Sequence, residues 1–285
     1  MSFIKRLITL SRPHFWLYEF GTFLLGVVIG ATQTSEVFTL QTVWWGLYFL
    51  IPANLLIYGI NDVYDYETDM RNPKKVSYES VLPKELHKKV LLAVGLTSVP
   101  FILLVPENSN ALVALFGFFF FATFYSAPPI RAKAKPLIDS VFSAGHYVAT
   151  GVFGYFLIAG EVAWPWQYIV AGMAWAMAMH AYSAVPDIQA DRDAGLKTTA
   201  ILFGHKNTIW YCLVLYALAV TLTFSALGII SVILFVPYAI ILLRSLSAVD
   251  ESLLKLYAYF PYLNALVGMV LTFLAFYING WLEIF

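Results

Sequence analysis

Charge is what this sequence has least of. Only 12% of its 285 residues are Asp, Glu, Lys or Arg, against about 25% in a soluble domain. With 60% hydrophobic residues and a mean hydropathy of +0.75, a water-soluble globular fold is excluded and an all-α integral membrane protein is expected. Cysteine is nearly absent too: the lone Cys212 rules out an internal disulfide and any thiolate metal site. The formal net charge is zero, so no basic surplus points to nucleic acid, and none is expected as a partner. Low-complexity tracts, Pro/Gly linkers and soluble domains are missing as well, so one transmembrane domain is expected over residues 1–285. The basic, then apolar, stretch 1–31 has no Ala-x-Ala-like end and reads as a first span rather than a cleaved signal.

What the chain has instead is apolar runs. In windows of roughly 20 residues, nine spans fall near 14–31, 42–60, 89–105, 110–127, 139–159, 164–185, 208–227, 229–243 and 257–281. The charges test that count. All 17 basic residues lie before span 1 or in the connections 2–3, 4–5, 6–7 and 8–9. The opposite connections and the C-terminus carry only Glu36, Glu107, Glu161 and Glu283. Since Lys/Arg bias sets orientation, the N-terminus is expected in the cytoplasm and the C-terminus outside.

Two acidic clusters stand out at the basic-rich side, where spans 2 and 6 end. Asn54, Tyr58, Asp62, Asp65 and Asp69 recur every three or four residues, as do His180, Ala184, Asp187, Asp191 and Gly195. On a helix each set shares one face. Carboxylates there are costly unless a cation occupies them. Hard oxygen ligands suit Mg²⁺, which keeps several waters and is completed by substrate phosphates. The nearby cations Arg71, Lys74, Lys75, Arg131, Lys133, Arg192 and Lys197 would face the same phosphates, so the expected ligand is a diphosphate on a lipid-soluble body. An isoprenyl diphosphate fits. Its ionisation leaves an allylic cation, which ring faces attract by about 0.5–2 kcal/mol each. Tyr58, Tyr125, Tyr147, Trp175 and Tyr182 are candidates to line such a site.

These motifs resemble the UbiA superfamily of intramembrane prenyltransferases over almost the whole chain. Asn61-Asp62-x-x-Asp65-x-x-x-Asp69 is similar to its first Asp-rich motif, Asp187-x-x-x-Asp191-x-x-x-Gly195 to its second, and Tyr125-Ser126-Ala127-Pro128-Pro129-Ile130-Arg131 to its Tyr-Ser and basic segment. The resemblance implies nine helices, two Mg²⁺ held by Asp62, Asp65, Asp69, Asp187 and Asp191, diphosphate binding by Arg131 and Lys133, and prenyl transfer to a hydrophobic acceptor. It makes Asp62, Asp65, Asp187 and Asp191 the catalytic set. Asn54, Tyr58, Asn61, Arg71, Lys75, Tyr125, His180, Tyr182 and Lys197 join Arg131 and Lys133 as expected substrate contacts. Ser11-Arg12-Pro13-His14-Phe15-Trp16, Asn72-Pro73-Lys74-Lys75 and Ser183-Ala184-Val185-Pro186 with Thr198-Thr199-Ala200 resemble the lycopene elongase branch. That branch attaches a five-carbon dimethylallyl unit to a forty-carbon carotenoid. Tyr66, where many quinone-type members carry Arg, departs from that other pattern.

Other readings stay open. An aromatic quinone precursor, a chlorophyll-type or a polar lipid acceptor would use the same donor chemistry. An ion-coupled transporter also fits many spans and membrane acids, although transporter sites tend to lie near the bilayer midplane. Glu19, inside span 1, has no partner that the sequence names. A multi-pass location in the cell membrane, with the site on the cytoplasmic face, is expected under the enzyme reading; a partner subunit remains an open alternative.

Overall fold

A computed structural model describes residues 2–70 and 81–281, and every regular element among them is helical. In chain order the α-helices are α1 (Phe3–Leu10), α2 (Trp16–Gly30), α3 (Thr34–Val37), α4 (Leu40–Leu50), α5 (Pro52–Tyr64), α6 (Tyr66–Asp69) and α7 (His87–Ser98). They continue with α8 (Ser109–Ser126), α9 (Ile138–Ala159), α10 (Trp166–Ser183), α11 (Ile188–Asp193), α12 (Thr199–Leu227), α13 (Ile229–Ser245) and α14 (Asp250–Ile278).

Each expected span coincides with helix. Six stretches are long and apolar enough to cross a bilayer by length and composition: Leu40–Tyr64, Lys84–Leu104, Ser109–Ser126, Ile138–Ala159, Thr199–Leu227 and Glu251–Ile278. The other three expected spans meet α2, α10 and α13, of 15, 18 and 17 residues. The chain is therefore a multi-pass membrane protein. The span expected at 42–60 is two helices, because Pro52 has no N–H to give and Ile51 before it leaves helical geometry at φ −122°, ψ −61°. Asn54 sits at that junction, buried, and its amide donates to the Phe49 and Leu50 carbonyls, each at 3.1 Å. The span expected at 208–227 begins earlier, at Thr199. A kink at Gly204 (φ 72°, ψ 171°), open to glycine, hides the continuation from a hydropathy window.

The chain divides into two compact units. The first comprises Met1–Ile130, Ala149–Val162 and Gly268–Phe285. There α2 meets the end of α9 backbone to backbone. A Cβ on Gly26 would run into the Gly151 carbonyl, one on Gly154 into the Phe23 carbonyl, and one on Gly30 would lie 2.5 Å from the Tyr155 carbonyl oxygen. Gly26-x-x-x-Gly30 is the small-residue spacing that lets membrane helices approach closely. Packed around this contact are the buried rings of Phe23, Trp45, Phe49, Phe118 and Phe153, with Trp45 and Phe153 centroids 4.9 Å apart. Glu19, also buried here, accepts a 2.7 Å hydrogen bond from Thr150 Oγ1.

The second unit comprises Arg131–Val148 and Ala163–Val267. In it α10 lies along α12, and α12 along α13. Alanines 171, 174, 178 and 181 of α10 are buried, which keeps that helix close to its neighbours. Its core rings are Trp175, Tyr216, Tyr238, Phe260 and Tyr182, with centroids 4.7 to 5.5 Å apart in successive pairs. Asp139 pins the start of α9 to the start of α12. Its carboxylate accepts from the Thr199 amide at 2.7 Å and from the Thr199 hydroxyl, so it caps the positive end of α12.

Candidate active site

In the first unit, α5 carries Tyr58 one turn before the adjacent pair Asn61 and Asp62, as their spacing predicts. The helix does not run on unbroken to Asp69. Asp65 closes α5 at φ −96°, ψ 0°, and the single turn α6 follows. The i to i+4 ladder survives the change, because the Asp69 amide still donates to the Asp65 carbonyl at 2.8 Å.

Two long-range contacts brace this cluster. Ser126, buried at the end of α8, accepts from Asn61 Nδ2 at 3.0 Å and donates to Asp65 Oδ2 at 3.5 Å. Asp65 itself is fully buried. On the other side Arg12 places its guanidinium 4.5 Å above the Tyr58 ring and 3.4 Å from Asp62 Oδ1. The Phe15 ring stacks against the same Tyr58 ring, centroids 5.8 Å apart. Both Arg12 and Ser126 lie in segments whose residues the sequence already singled out, but neither had been given a role. Nothing in local spacing could have done so, since their partners are 50 and 61 or more residues away.

In the second unit, α10 ends at Ser183 and a turn leads to α11. Asp187 stands at the N-cap position of α11 without a side-chain capping bond, and Asp191 lies one turn on, its amide donating to the Asp187 carbonyl at 2.8 Å. Both side chains are half-buried. Gly195, at φ 77°, ends the helix: its amide bonds to Arg192 and that of Leu196 to the Asp191 carbonyl, at 3.0 and 2.9 Å. This is the Schellman pattern, and it explains the glycine of the motif through backbone geometry. Lys197 is exposed just before the Thr198 cap of α12. Arg131 (φ 45°) opens a short turn, Ala132–Ala134, that contains Lys133.

Four more of the expected substrate contacts are placed as follows. Tyr182 is fully buried in the core of the second unit, its hydroxyl 2.8 Å from Ser245 Oγ and its ring against Phe260. Asn54 has its amide committed at the junction of α4 and α5. His180, in the last turn of α10, is half-buried and within electrostatic reach of Asp139 and His146. Tyr125 is half-buried in the last turn of α8. Arg71 and Lys75 lie outside the described residues.

Among the described residues, no three Asp, Glu, His or Cys side chains form a ready-made metal cage. Mg²⁺ does not ask for one: it binds through one or two carboxylates, keeps waters and takes phosphate oxygens. The donors are all oxygens, and the Arg12 guanidinium beside Asp62 shows that this carboxylate accommodates a cation. The residues present fit the ion.

Residues 20–258 match the UbiA prenyltransferase family. The chain belongs to that family. It is similar to the lycopene elongase/hydratase of Haloferax volcanii, 38% identical over 278 residues that span 96% of this chain and 90% of that protein. It is also similar to the protein of the same description from Halobacterium salinarum, 38% identical over 268 residues, 94% and 96% of the two chains. Among solved structures, a UbiA homolog from Archaeoglobus fulgidus bound to DMAPP and Mg²⁺ superposes with a TM-score of 0.70. That likeness covers 93% of this chain and 98% of that one at 21% identity, which carries the fold alone. The UbiA fold and prenyltransferase class are thereby shown, and the chain is an enzyme.

Proposed function

We propose that this UbiA prenyltransferase extends a carotenoid. It moves a five-carbon dimethylallyl group from its diphosphate to the terminal alkene of a forty-carbon acceptor such as lycopene. The observation that carries the reading is the similarity to lycopene elongase/hydratases along nearly the full length of both chains. The braced carboxylates at Asp62 and Asp65 support it. Nine spans, with the basic-rich connections and the site at the cytoplasmic face, complete the proposal.

In this reading Asp62, Asp65, Asp69, Asp187 and Asp191 hold two Mg²⁺ ions. When bound, the metal neutralises the leaving diphosphate as its bond to carbon breaks. Arg131, Lys133, Lys197, Arg71 and Lys75 share the phosphate charge. Asn61 orients Asp65 through the Ser126 hydroxyl. The Tyr58 ring, already under one cation, offers an electron-rich face to the allylic cation. The acceptor alkene supplies the electron pair of the new carbon–carbon bond, and the tertiary cation so formed loses a proton or captures water.

Expression in lycopene-producing cells tests the proposal. Pigment heavier than lycopene by five-carbon units is expected; unchanged lycopene beside folded protein and ample donor would sink it. Replacing either Asp62 or Asp187 with Ala should lower transfer roughly 10²–10³-fold, the scale for losing one electrostatic anchor. Full activity in both variants would remove the carboxylates from the mechanism.

A further inference from the structure

Arg12 is held in a way that its own segment does not require. It adopts a left-handed backbone (φ 49°, ψ 74°), which side chains other than glycine rarely take. The turn around it is fastened on both sides. The Arg12 amide donates to the Thr9 carbonyl at 3.1 Å, and the Phe15 amide to the Arg12 carbonyl at 2.8 Å. The Trp16 indole N–H reaches the Ser11 carbonyl and hydroxyl at 3.1 and 3.0 Å. What this arrangement delivers is the guanidinium, 3.4 Å from Asp62 Oδ1 and 4.5 Å over Tyr58. Backbone outliers of this kind persist where the surroundings over-determine them, often at functional sites. Neither charged side chain is fully covered, with 28% of Arg12 and 15% of Asp62 still exposed, so an incoming ion can reach the pair.

We propose that Arg12 is a built-in counter-cation of Asp62. It positions the carboxylate and the Tyr58 ring, and a divalent ion that binds Asp62 Oδ1 competes with it. Two cations on one carboxylate oxygen repel each other, so metal loading pushes the guanidinium away and loosens the turn that carries it. Asp62 thus stays charge-paired before metal arrives, and the N-terminal segment senses its metal state. The inference rests on the reading of Asp62 as a metal ligand and goes beyond it by assigning Arg12 a role.

The test is Mn²⁺ binding to the full-length protein in detergent, followed by electron paramagnetic resonance with no diphosphate present. Arg12→Ala should bind Mn²⁺ roughly three- to ten-fold more tightly than the wild type, the scale of a partly exposed ion pair. Arg12→Lys, which keeps the charge, should stay near the wild type and also guards against a folding defect in the Ala variant. Hydrogen exchange of the residue 9–16 amides in the wild type should speed up when Mn²⁺ is added. Equal or weaker Mn²⁺ binding by Arg12→Ala, or exchange indifferent to Mn²⁺, would overturn the proposal. Asp62→Asn separates the two levels. If it binds Mn²⁺ as the wild type does, the metal role of Asp62 fails, and the competition with Arg12 fails with it. If it binds weakly while Arg12→Ala is unchanged, only the role of Arg12 fails.

Discussion

The two carboxylate clusters are built on opposite plans. The first is braced from far along the chain: Arg12 comes to Asp62, and Ser126 stands between Asn61 and the buried Asp65. The second is shaped locally, by a six-residue helix whose backbone stacks Asp191 on Asp187 and whose end is set by Gly195. Geometry made by remote side chains depends on the packing of whole helices. Geometry made by one turn depends on its own φ and ψ. Changes far away should therefore disturb the first cluster, and only close neighbours should disturb the second.

The largest break in that contrast is Gly26→Ala. The added methyl has the Gly151 carbonyl in its way, with backbone on both sides and no flexible side chain to yield. A loss of about 3 kcal/mol is expected, the upper end for overpacking, seen as a lower thermal midpoint in detergent. Mn²⁺ affinity attributable to Asp62 should fall with it. Next comes Ser126→Ala, which strips the hydroxyl from two buried or half-buried partners. Roughly 1–3 kcal/mol of stability and about ten-fold in turnover, the scale for lost support behind a metal ligand, should go. If Ser126→Ala leaves turnover intact, the first cluster does not need its brace and the contrast collapses.

How far the sequence reveals these plans follows from the same distinction. Periodic signals survive: every expected apolar run meets a helix, and Asp187 and Asp191 do lie one turn apart. The stripe from Asn54 to Asp69 is only partly right, because Asp65 closes one helix and opens the next. Tyr182 is placed by what the sequence does not show: its packing against Phe260 and its hydroxyl contact with Ser245 involve residues more than 60 positions later. The same holds for Glu19, whose hydrogen bond to Thr150 spans 131 positions. The close approach of α2 was legible in principle, since Gly26-x-x-x-Gly30 is a packing signal, but a hydropathy window gives glycine no such weight.

Smaller effects sharpen the local side of the comparison. Gly195→Ala forces a Cβ into the left-handed region and should cost about 1 kcal/mol. Its effect on activity should be confined to the second cluster, leaving the Arg12–Asp62 pair and its Mn²⁺ response unchanged. Gly195→Asn, which tolerates that backbone better, should recover part of the loss. The smallest effect lies at the acidic connections. Glu161 accepts hydrogen bonds from the amide and hydroxyl of Ser109, tying the 160–163 connection to the start of α8. Those bonds, the hydroxyl's first, hold its carboxyl below the usual glutamate range. A depressed carboxyl stabilises the fold fully above its unfolded pKa, about 4.3, and loses that contribution as pH falls through its lower folded value. The wild type should accordingly lose more thermal stability on acidification below about pH 4 than Glu161→Gln does. Parallel acid profiles for the two proteins would show that the link from Glu161 to Ser109 carries no weight, leaving the Asn110 side-chain amide on the Val162 carbonyl and the flanking helices to hold this connection.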